Sequence, residues 1–475
     1  MDSRQFFSEL YKHEGVCTTG GLGGFMTYKQ LRERIEQNTQ ILIRLGFGKG
    51  QGRGQQLLAV DVSLGSRVVP VYLAALLLNI TLIPVDPVKN PALSNKILQW
   101  TKAELYITDS SLDGLGRILP ESLPGIMPSH REELSEVAVV LYTSGTTGRP
   151  KGVMLTYGNI WSNLRSILDY FTLTPRDRLY LFRPLTYASA FTGELLPALY
   201  GGAAVYFKPG DINPIGTMKS LARDGITALG VTPTVAAAFA RFRRRYDFSG
   251  LRYLVLSGEC LSAAQAERIT AAFPAARIWN AYGLTEASPR ISCLTEPGAV
   301  IRRKGCVGRP LAGVQVKVTD PQGRPVPEGQ EGILYAAGPN IMKGYYGDPQ
   351  ATARKIKDGW LCTGDRAVIR DGEIYVLGRS DFLMIRGGIN MDPSEIESEL
   401  TRIPQIREAL VFGETSEGRT RVHAWITCAG GAEIPQIRST IIRTIRDSRL
   451  WPDVIEIKQE LPKTASGKLI RPINP

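Results

Sequence analysis

Apolar runs suited to buried strands recur at residues 137–142, 178–182, 204–207, 227–231, 252–257 and 276–280, and segments of helical periodicity such as 234–244 and 262–273 fall between them. That alternation constrains the chain more than any other feature. It predicts an α/β fold whose sheets are largely parallel. From about Val314 the pattern turns to short strands and turns, at 314–319, Asp320-Pro321-Gln322-Gly323 and 332–336, so a small β-rich section follows the α/β body. Near 378–381 it changes again. Helical 394–402, strands at 409–412 and 422–428 and helical 436–448 read as a compact α+β module. The expected organisation is a large N-terminal body over residues 1–380 and a small, mobile C-terminal α+β domain over 381–475. A length of 475 residues accommodates several units of ~100–200 residues, each with its own core.

Several classes are disfavoured. Residues 1–16 are studded with charge and lack both a long apolar core and a small-residue cleavage site, so no secretory signal is expected and the location implied is cytoplasmic. The most apolar stretch, 68–85, is broken by Pro70, Asn79, Thr81 and Pro84, and reads as a buried helix followed by a strand and not as a membrane span. Six cysteines without a CxxC pair, and only three histidines, suggest neither a zinc site nor a disulfide framework. The net charge is +12, of which residues 382–475 hold +1. Its densest cluster, Arg-Phe-Arg-Arg-Arg at 241–245, lacks the aromatic interleaving of a single-strand binder and reads as a solvated basic face, with polyanion binding as the alternative and no nucleic-acid partner expected.

The chemistry concentrates in residues 143–152, TSGTTGRPKG, which directly follow an apolar strand. Glycines let backbone N–H groups converge on phosphate oxygens, while Ser and Thr hydroxyls and a lysine add donors and charge. The Walker pattern is not met, because Lys151 lies between Pro150 and Gly152. Val153-Met154-Leu155 reads as a returning strand, so this phosphate loop joins two strands, with a helix starting near Thr156.

The stretch LYTSGTTGRPKGVMLTYGN closely resembles the first signature of the AMP-forming adenylating enzymes, the superfamily of acyl-CoA synthetases, nonribosomal-peptide adenylation domains and beetle luciferases. Four further signatures follow in that family's order. Ala281-Tyr282-Gly283-Leu284-Thr285-Glu286 is similar to the adenine and metal motif, and 359–365 (GWLCTGD) to the ribose motif. Gly378-Arg379-Ser380-Asp381 is similar to the hinge, and 461–468 (LPKTASGK) to the C-terminal catalytic loop. The resemblance implies that a carboxylate attacks the α-phosphate of ATP, pyrophosphate leaves, and an acyl adenylate is captured by the thiol of CoA or of a phosphopantetheinyl carrier protein.

The same resemblance implies roles for particular residues. Thr143, Ser144, Gly145, Thr146, Thr147 and Lys151 would cradle the outgoing phosphates. Gly258 and Glu259 would border the nucleotide, Tyr282 would stack on adenine, and Asp365, supported by Arg379, would grip the ribose hydroxyls. Thr285 would contact the α-phosphate, and Glu286 would hold Mg2+, a hard cation suited to carboxylate and phosphate oxygens. Lys468 would bridge substrate carboxylate and ribose, neutralising both reacting anions. A swing about Asp381 would then carry it away and bring Gly387 and Gly388 to line the thiol's path.

For the acid, the resemblance implies a pocket built from Tyr187, Ala188, Phe191, Val231, Ser257, Asn280, Ala281 and Gly283. Tyr187 stands where many acyl- and aryl-CoA ligases carry His. Ala188 stands where amino-acid domains carry an Asp for the substrate ammonium, and without that carboxylate a buried ammonium would lose its partner. The expected substrate is therefore an apolar or aromatic carboxylic acid without an α-amino group. Ser257-Gly258-Glu259 is nevertheless closer to the Gly-Glu of amino-acid-activating members, so a stand-alone amino-acid adenylation enzyme is the alternative. No carrier domain follows Lys468 in the sequence, so delivery to CoA or to a separate carrier is expected.

Overall fold

The strands predicted between residues 137 and 280 fall into two largely parallel sheets. In the larger, Arg277–Gly283, Tyr253–Ser257, Ala228–Val231, Arg178–Leu181, Ala204–Phe207 and Val16–Thr19 lie side by side in that order and run parallel. Antiparallel Arg290–Leu294 and Phe25–Thr27 close its two edges. The second sheet places Thr81–Val85, Leu57–Asp61 and Leu105–Ile107 in parallel beside Val137–Thr143, with Lys151–Thr156 and Gly344–Tyr345 antiparallel at one edge. This computed structural model describes residues 1–19, 25–48, 55–119, 131–143, 150–207, 214–386, 389–416, 419–428, 433–464 and 468–472.

The β-rich section is an antiparallel sheet of Gln315–Thr319, Gly332–Ala337, Trp360–Arg370, Ile356–Lys357 and Glu373–Arg379. Beyond it come the hairpin Met384–Arg386 and Ile389–Met391, then a sheet of Ile406–Ser416, Arg419–Cys428 and Val454–Ile457 packed with helices Pro393–Arg402 and Ile434–Thr444. Ile396, Leu400, Val411, Val422, Ile437 and Ile441 form a core there that is separate from those of the preceding sheets.

Two helices end sooner than their periodicity suggests. The helix expected over 234–244 runs Pro233–Ala240. Continuing it would place Arg241 one turn from both Arg244 and Arg245, a like-charge stacking that disfavours helix. The helix expected over 436–448 stops at Thr444, where Asp447 accepts from Arg449 N at 3.0 Å and diverts the backbone into a short 3-10 turn. The apolar 68–85 stretch is the helix Val69–Leu77 followed by the strand Thr81–Val85, both buried in the body apart from the helix's last residue. Among the described residues no helix is long and apolar enough to cross a membrane. All six cysteines are free; Cys17, Cys293 and Cys306 are buried, whereas Cys260 is exposed.

Candidate functional site

The loop containing the phosphate-like sequence joins the antiparallel strands Val137–Thr143 and Lys151–Thr156, with Thr143 paired to Lys151 at its base. A capping box between Thr156 and Asn159 then starts the next helix, Tyr157–Leu168. Ser144, Gly145, Thr146 and Thr147 lie outside the described residues, as do Gly387 and Gly388. Lys151 has its ammonium 5.0 Å from the centroid of the Tyr345 ring, and the Tyr345 hydroxyl donates to Glu286 Oε1 at 2.7 Å. Val153 pairs with Tyr345 across the sheet edge, which is what brings Tyr345 to both groups. Lys151, Thr285 and Glu286 thus belong to neighbouring elements: Glu286 sits in the short 3-10 turn Thr285–Ala287, and Met342 N bonds to its carbonyl at 2.9 Å. Burial, reinforced by the Glu286 charge, pushes the Tyr345 hydroxyl far up, so it stays a donor.

Where the body meets the C-terminal α+β module, a cleft of about 580 Å³ gathers Gly258, Glu259, Asn280, Ala281, Tyr282, Gly283, Asp365, Arg379 and Lys468. The Tyr282 hydroxyl donates to Asp365 Oδ2 at 2.5 Å, and burial followed by the Asp365 charge pushes the phenol well above its ordinary range. Burial also raises the Asp365 carboxyl, against the pull of the Tyr282 hydrogen bond and of the Arg379 and Lys468 charges. Asp365 and Arg379 face each other across paired strands. The Arg379 guanidinium lies 3.7 Å from Asp365 Oδ1 and 2.8 Å from Asp381 Oδ2, connecting the acceptor carboxylate to the expected hinge.

Lys468 reaches this cleft because the segment around it is tied down at several points. Lys468 N donates to Thr464 Oγ1 at 3.2 Å, and Lys463 holds Glu408 at 2.7 Å. Leu469 N donates to Glu259 Oε1 at 3.2 Å, while Glu259 Oε2 accepts from Thr234 N at 3.2 Å. Arg366 adds an ion pair to Asp392 at 3.0 Å. One side chain of the body, Glu259, therefore clasps the residue next to Lys468. The cleft can offer a carboxylate acceptor from the body and an ammonium from the C-terminal module to the same ligand.

The residues expected to line the acid pocket lie around the carboxyl ends of the parallel strands. Ala188 and Phe191 are buried, and Phe191 packs edge-on against Tyr72 with ring centroids 5.4 Å apart. Tyr187 is half-buried, Val231 ends its strand, and Ser257 ends the next and accepts from Arg183 Nη2 at 2.9 Å. Sequence reasoning did not anticipate the partners of these residues: Arg183 and Glu194 form a buried ion pair at 3.9 Å, and Arg183 Nη1 also donates to Ser189 Oγ at 2.7 Å. It also missed Tyr345 and the clasp made by Glu259. No local pattern marks any of these, because each contact joins segments far apart in the chain.

A family model for AMP-binding enzymes matches residues 12–346, and one for the AMP-binding enzyme C-terminal domain matches residues 395–468. The chain is 34% identical over 343 residues to a feruloyl-CoA synthase of Amycolatopsis sp, covering 71% of this chain and 69% of that protein. It is 32% identical over 417 residues to a 2-succinylbenzoate–CoA ligase of Geobacillus kaustophilus, covering 81% of each. The crystal structure of ATP-bound MatB from Rhodopseudomonas palustris superimposes with a TM-score of 0.82 at 24% identity over 99% of this chain and 97% of that one, a likeness of fold. With both family models matched in order and relatives above 30% identity spanning most of its length, this chain belongs to the AMP-binding enzyme family.

Proposed function

We propose that this enzyme activates a small carboxylic acid with ATP, forming an acyl adenylate and pyrophosphate, and then transfers the acyl group to the thiol of CoA or of a phosphopantetheinyl carrier protein. The observation that carries the reading is the cleft in which Lys468 of the C-terminal module and Asp365 and Tyr282 of the body converge. The similar proteins are named as a feruloyl-CoA synthase and a 2-succinylbenzoate–CoA ligase, which supports an aromatic or apolar acid over an amino acid. Ala188, where an ammonium partner would be needed, agrees with that choice.

Two anions, the acid's carboxylate and the α-phosphate, must meet, so positioning and charge stabilisation carry most of the rate. Asp365 accepts hydrogen bonds from the ribose hydroxyls, Tyr282 covers the adenine, and Arg379 holds Asp365 in place. Thr143, Lys151 and the loop between them take the β- and γ-phosphates, and Thr285 the α-phosphate. The Lys468 ammonium lies between the attacking carboxylate and the ribose. Glu286, a carboxylate whose Oε1 is held by the Tyr345 hydroxyl at 2.7 Å, would hold a magnesium ion together with the nucleotide's phosphate oxygens, since Mg2+ is commonly bound by one or two carboxylates and phosphates. When bound, that ion supplies charge neutralisation on the phosphates. A rotation about Asp381 then withdraws Lys468 and turns residues 385–390 toward the adenylate for thiol attack.

The test is a panel of aryl, fatty and amino acids incubated with ATP and Mg2+, scored for pyrophosphate and repeated with CoA and with holo carrier protein. Acid-dependent pyrophosphate release with aryl or fatty acids is the expected outcome. Selective turnover of a proteinogenic amino acid would overturn the substrate assignment.

A further inference from the structure

Arg183, Glu194 and Arg290 are 4%, 1% and 3% exposed, and they meet beside the carboxyl ends of the parallel strands. Arg183 follows the strand Arg178–Leu181, and Arg290 opens the strand Arg290–Leu294. Glu194 sits in a π-helical turn, Phe191–Leu195, a distortion that recurs at functional sites. Two glycines make room for the group. A Cβ at Gly193 would lie 3.4 Å from Arg290 Nη2, and a Cβ at Gly230 would overlap Glu194 Oε1.

The cluster is incompletely satisfied. Arg183 spends its Nη atoms on Ser189 and Ser257 and stands 3.9 Å from Glu194. The Nε of Arg183, the Nε of Arg290 and both carboxylate oxygens of Glu194 have no hydrogen-bond partner among the described residues. Two guanidinium groups meet one carboxylate inside the cluster, and the further negative charge that acts on Arg183 is that of Glu259 at the cleft, so the cluster itself keeps an excess positive charge in a desolvated place. Such an arrangement does little for stability, since well-packed apolar residues serve a core as well or better. It is, however, suited to receiving an anion. Its neighbours point to which one. Ser257 immediately precedes Gly258 and Glu259 of the cleft, Gly230 precedes Val231, and Ser189 follows Tyr187 and Ala188. The cluster therefore lies behind the pocket assigned to the acid, at the crevice where open α/β sheets bind ligands.

We propose that Arg183 and Arg290 bind a second anionic group, a carboxylate or sulfonate, at the end of the acid remote from the carboxylate that is activated. This rests on the acid-activation reading above. The substrate is then a dianionic acid with an apolar or aromatic spacer lying along Tyr187 and Ala188, and Glu194 limits the excess positive charge while the pocket is empty.

The experiment compares matched acids that share one spacer and differ only at the far end: carboxylate, sulfonate, carboxamide and primary amine. Each is assayed by pyrophosphate release with ATP and Mg2+, and its direct binding is measured by calorimetry. The carboxylate or sulfonate member is expected to exceed the carboxamide in kcat/KM by about tenfold or more, the contribution of one charge-assisted hydrogen bond. Arg183→Gln and Arg290→Gln are expected to bring that ratio toward one through KM. Glu194→Gln, which removes the cluster's negative charge at constant shape, is expected to raise it, an outcome that a purely structural role would not give. Equal or better use of the carboxamide or amine, or a fall in the ratio for Glu194→Gln, overturns the proposal while leaving acid activation standing. Pyrophosphate release with no acid at all in the panel overturns both. The wild-type comparison decides the matter even where an arginine variant does not fold.

Discussion

Replacing Glu194 by Gln should change how the protein's stability depends on pH, and the size of the effect follows from its burial. Loss of water, opposed by the charges of Arg183 and Arg290, raises the Glu194 carboxyl from its ordinary 4.5 to about 7. An acid whose pKa is higher in the folded state binds more protons there than when unfolded. Stability is therefore greatest below about pH 4.5 as far as this group is concerned, falls as pH rises toward 7, and levels off above. At ~1.36 kcal/mol per pH unit the gap amounts to about 3 kcal/mol lost between acidic and mildly alkaline solution. Glu397, also raised to about 7 by burial, adds a fall of the same sign. It does so in wild type and variant alike, so their difference isolates Glu194. Urea unfolding followed by circular dichroism at pH 5, 6, 7 and 8 reads this difference directly. Glu194→Gln should gain on the wild type by about 2–3 kcal/mol between pH 5 and pH 8, the part of the gap below pH 5 lying outside that range. A difference that stays constant across that range would show that Glu194 is ionised throughout and the burial argument wrong.

Three further outcomes are expected. Asp365→Asn, which removes the charged acceptor facing Tyr282 and Lys468, should raise the KM for ATP by about tenfold or more while leaving the fold intact, as steady-state kinetics and circular dichroism would show. Gly230→Ala places a Cβ onto Glu194 Oε1 and should destabilise the body by ~1–3 kcal/mol in urea unfolding; an unchanged midpoint would mean that Glu194 has room to move. Because residues 1–381 carry +11 of the net +12, capture of preformed adenylate by an anionic thiol donor should slow as the Debye length falls from ~10 Å to ~3 Å, and a second-order rate constant indifferent to salt would count against electrostatic guidance.

Much of the architecture is legible in the sequence because it is written in local patterns. The apolar runs at 227–231 and 252–257 are buried parallel strands, and the 143–152 segment does connect two antiparallel strands. Helix ends were less legible where charge repulsion or a side chain bonding to nearby backbone ended a periodic segment, as at Ala240 and Thr444. In the site, Tyr282, Asp365, Arg379 and Lys468 were identified from motifs and do line one cleft. What they contact was not legible. A sequence does not distinguish Glu194 from a surface acid or Arg183 from a surface base, since burial is decided by strands and turns far away along the chain. Tyr345 owes its place between Lys151 and Glu286 to an edge strand that pairs across nearly 200 residues of sequence.

In the proposed mechanism Lys468 serves one half of the reaction from a domain that must move for the other half. Its most direct test measures adenylate formation and thiol capture separately in Lys468→Ala and Asp381→Pro. Lys468→Ala should lower adenylation by ~10²–10³, about 3–4 kcal/mol of transition-state stabilisation, while capture of a supplied acyl adenylate stays near wild type. Asp381→Pro should slow capture preferentially, because proline restricts the backbone on which the rotation depends. Equal impairment of both steps by Lys468→Ala, or impairment of neither by Asp381→Pro, would contradict the account.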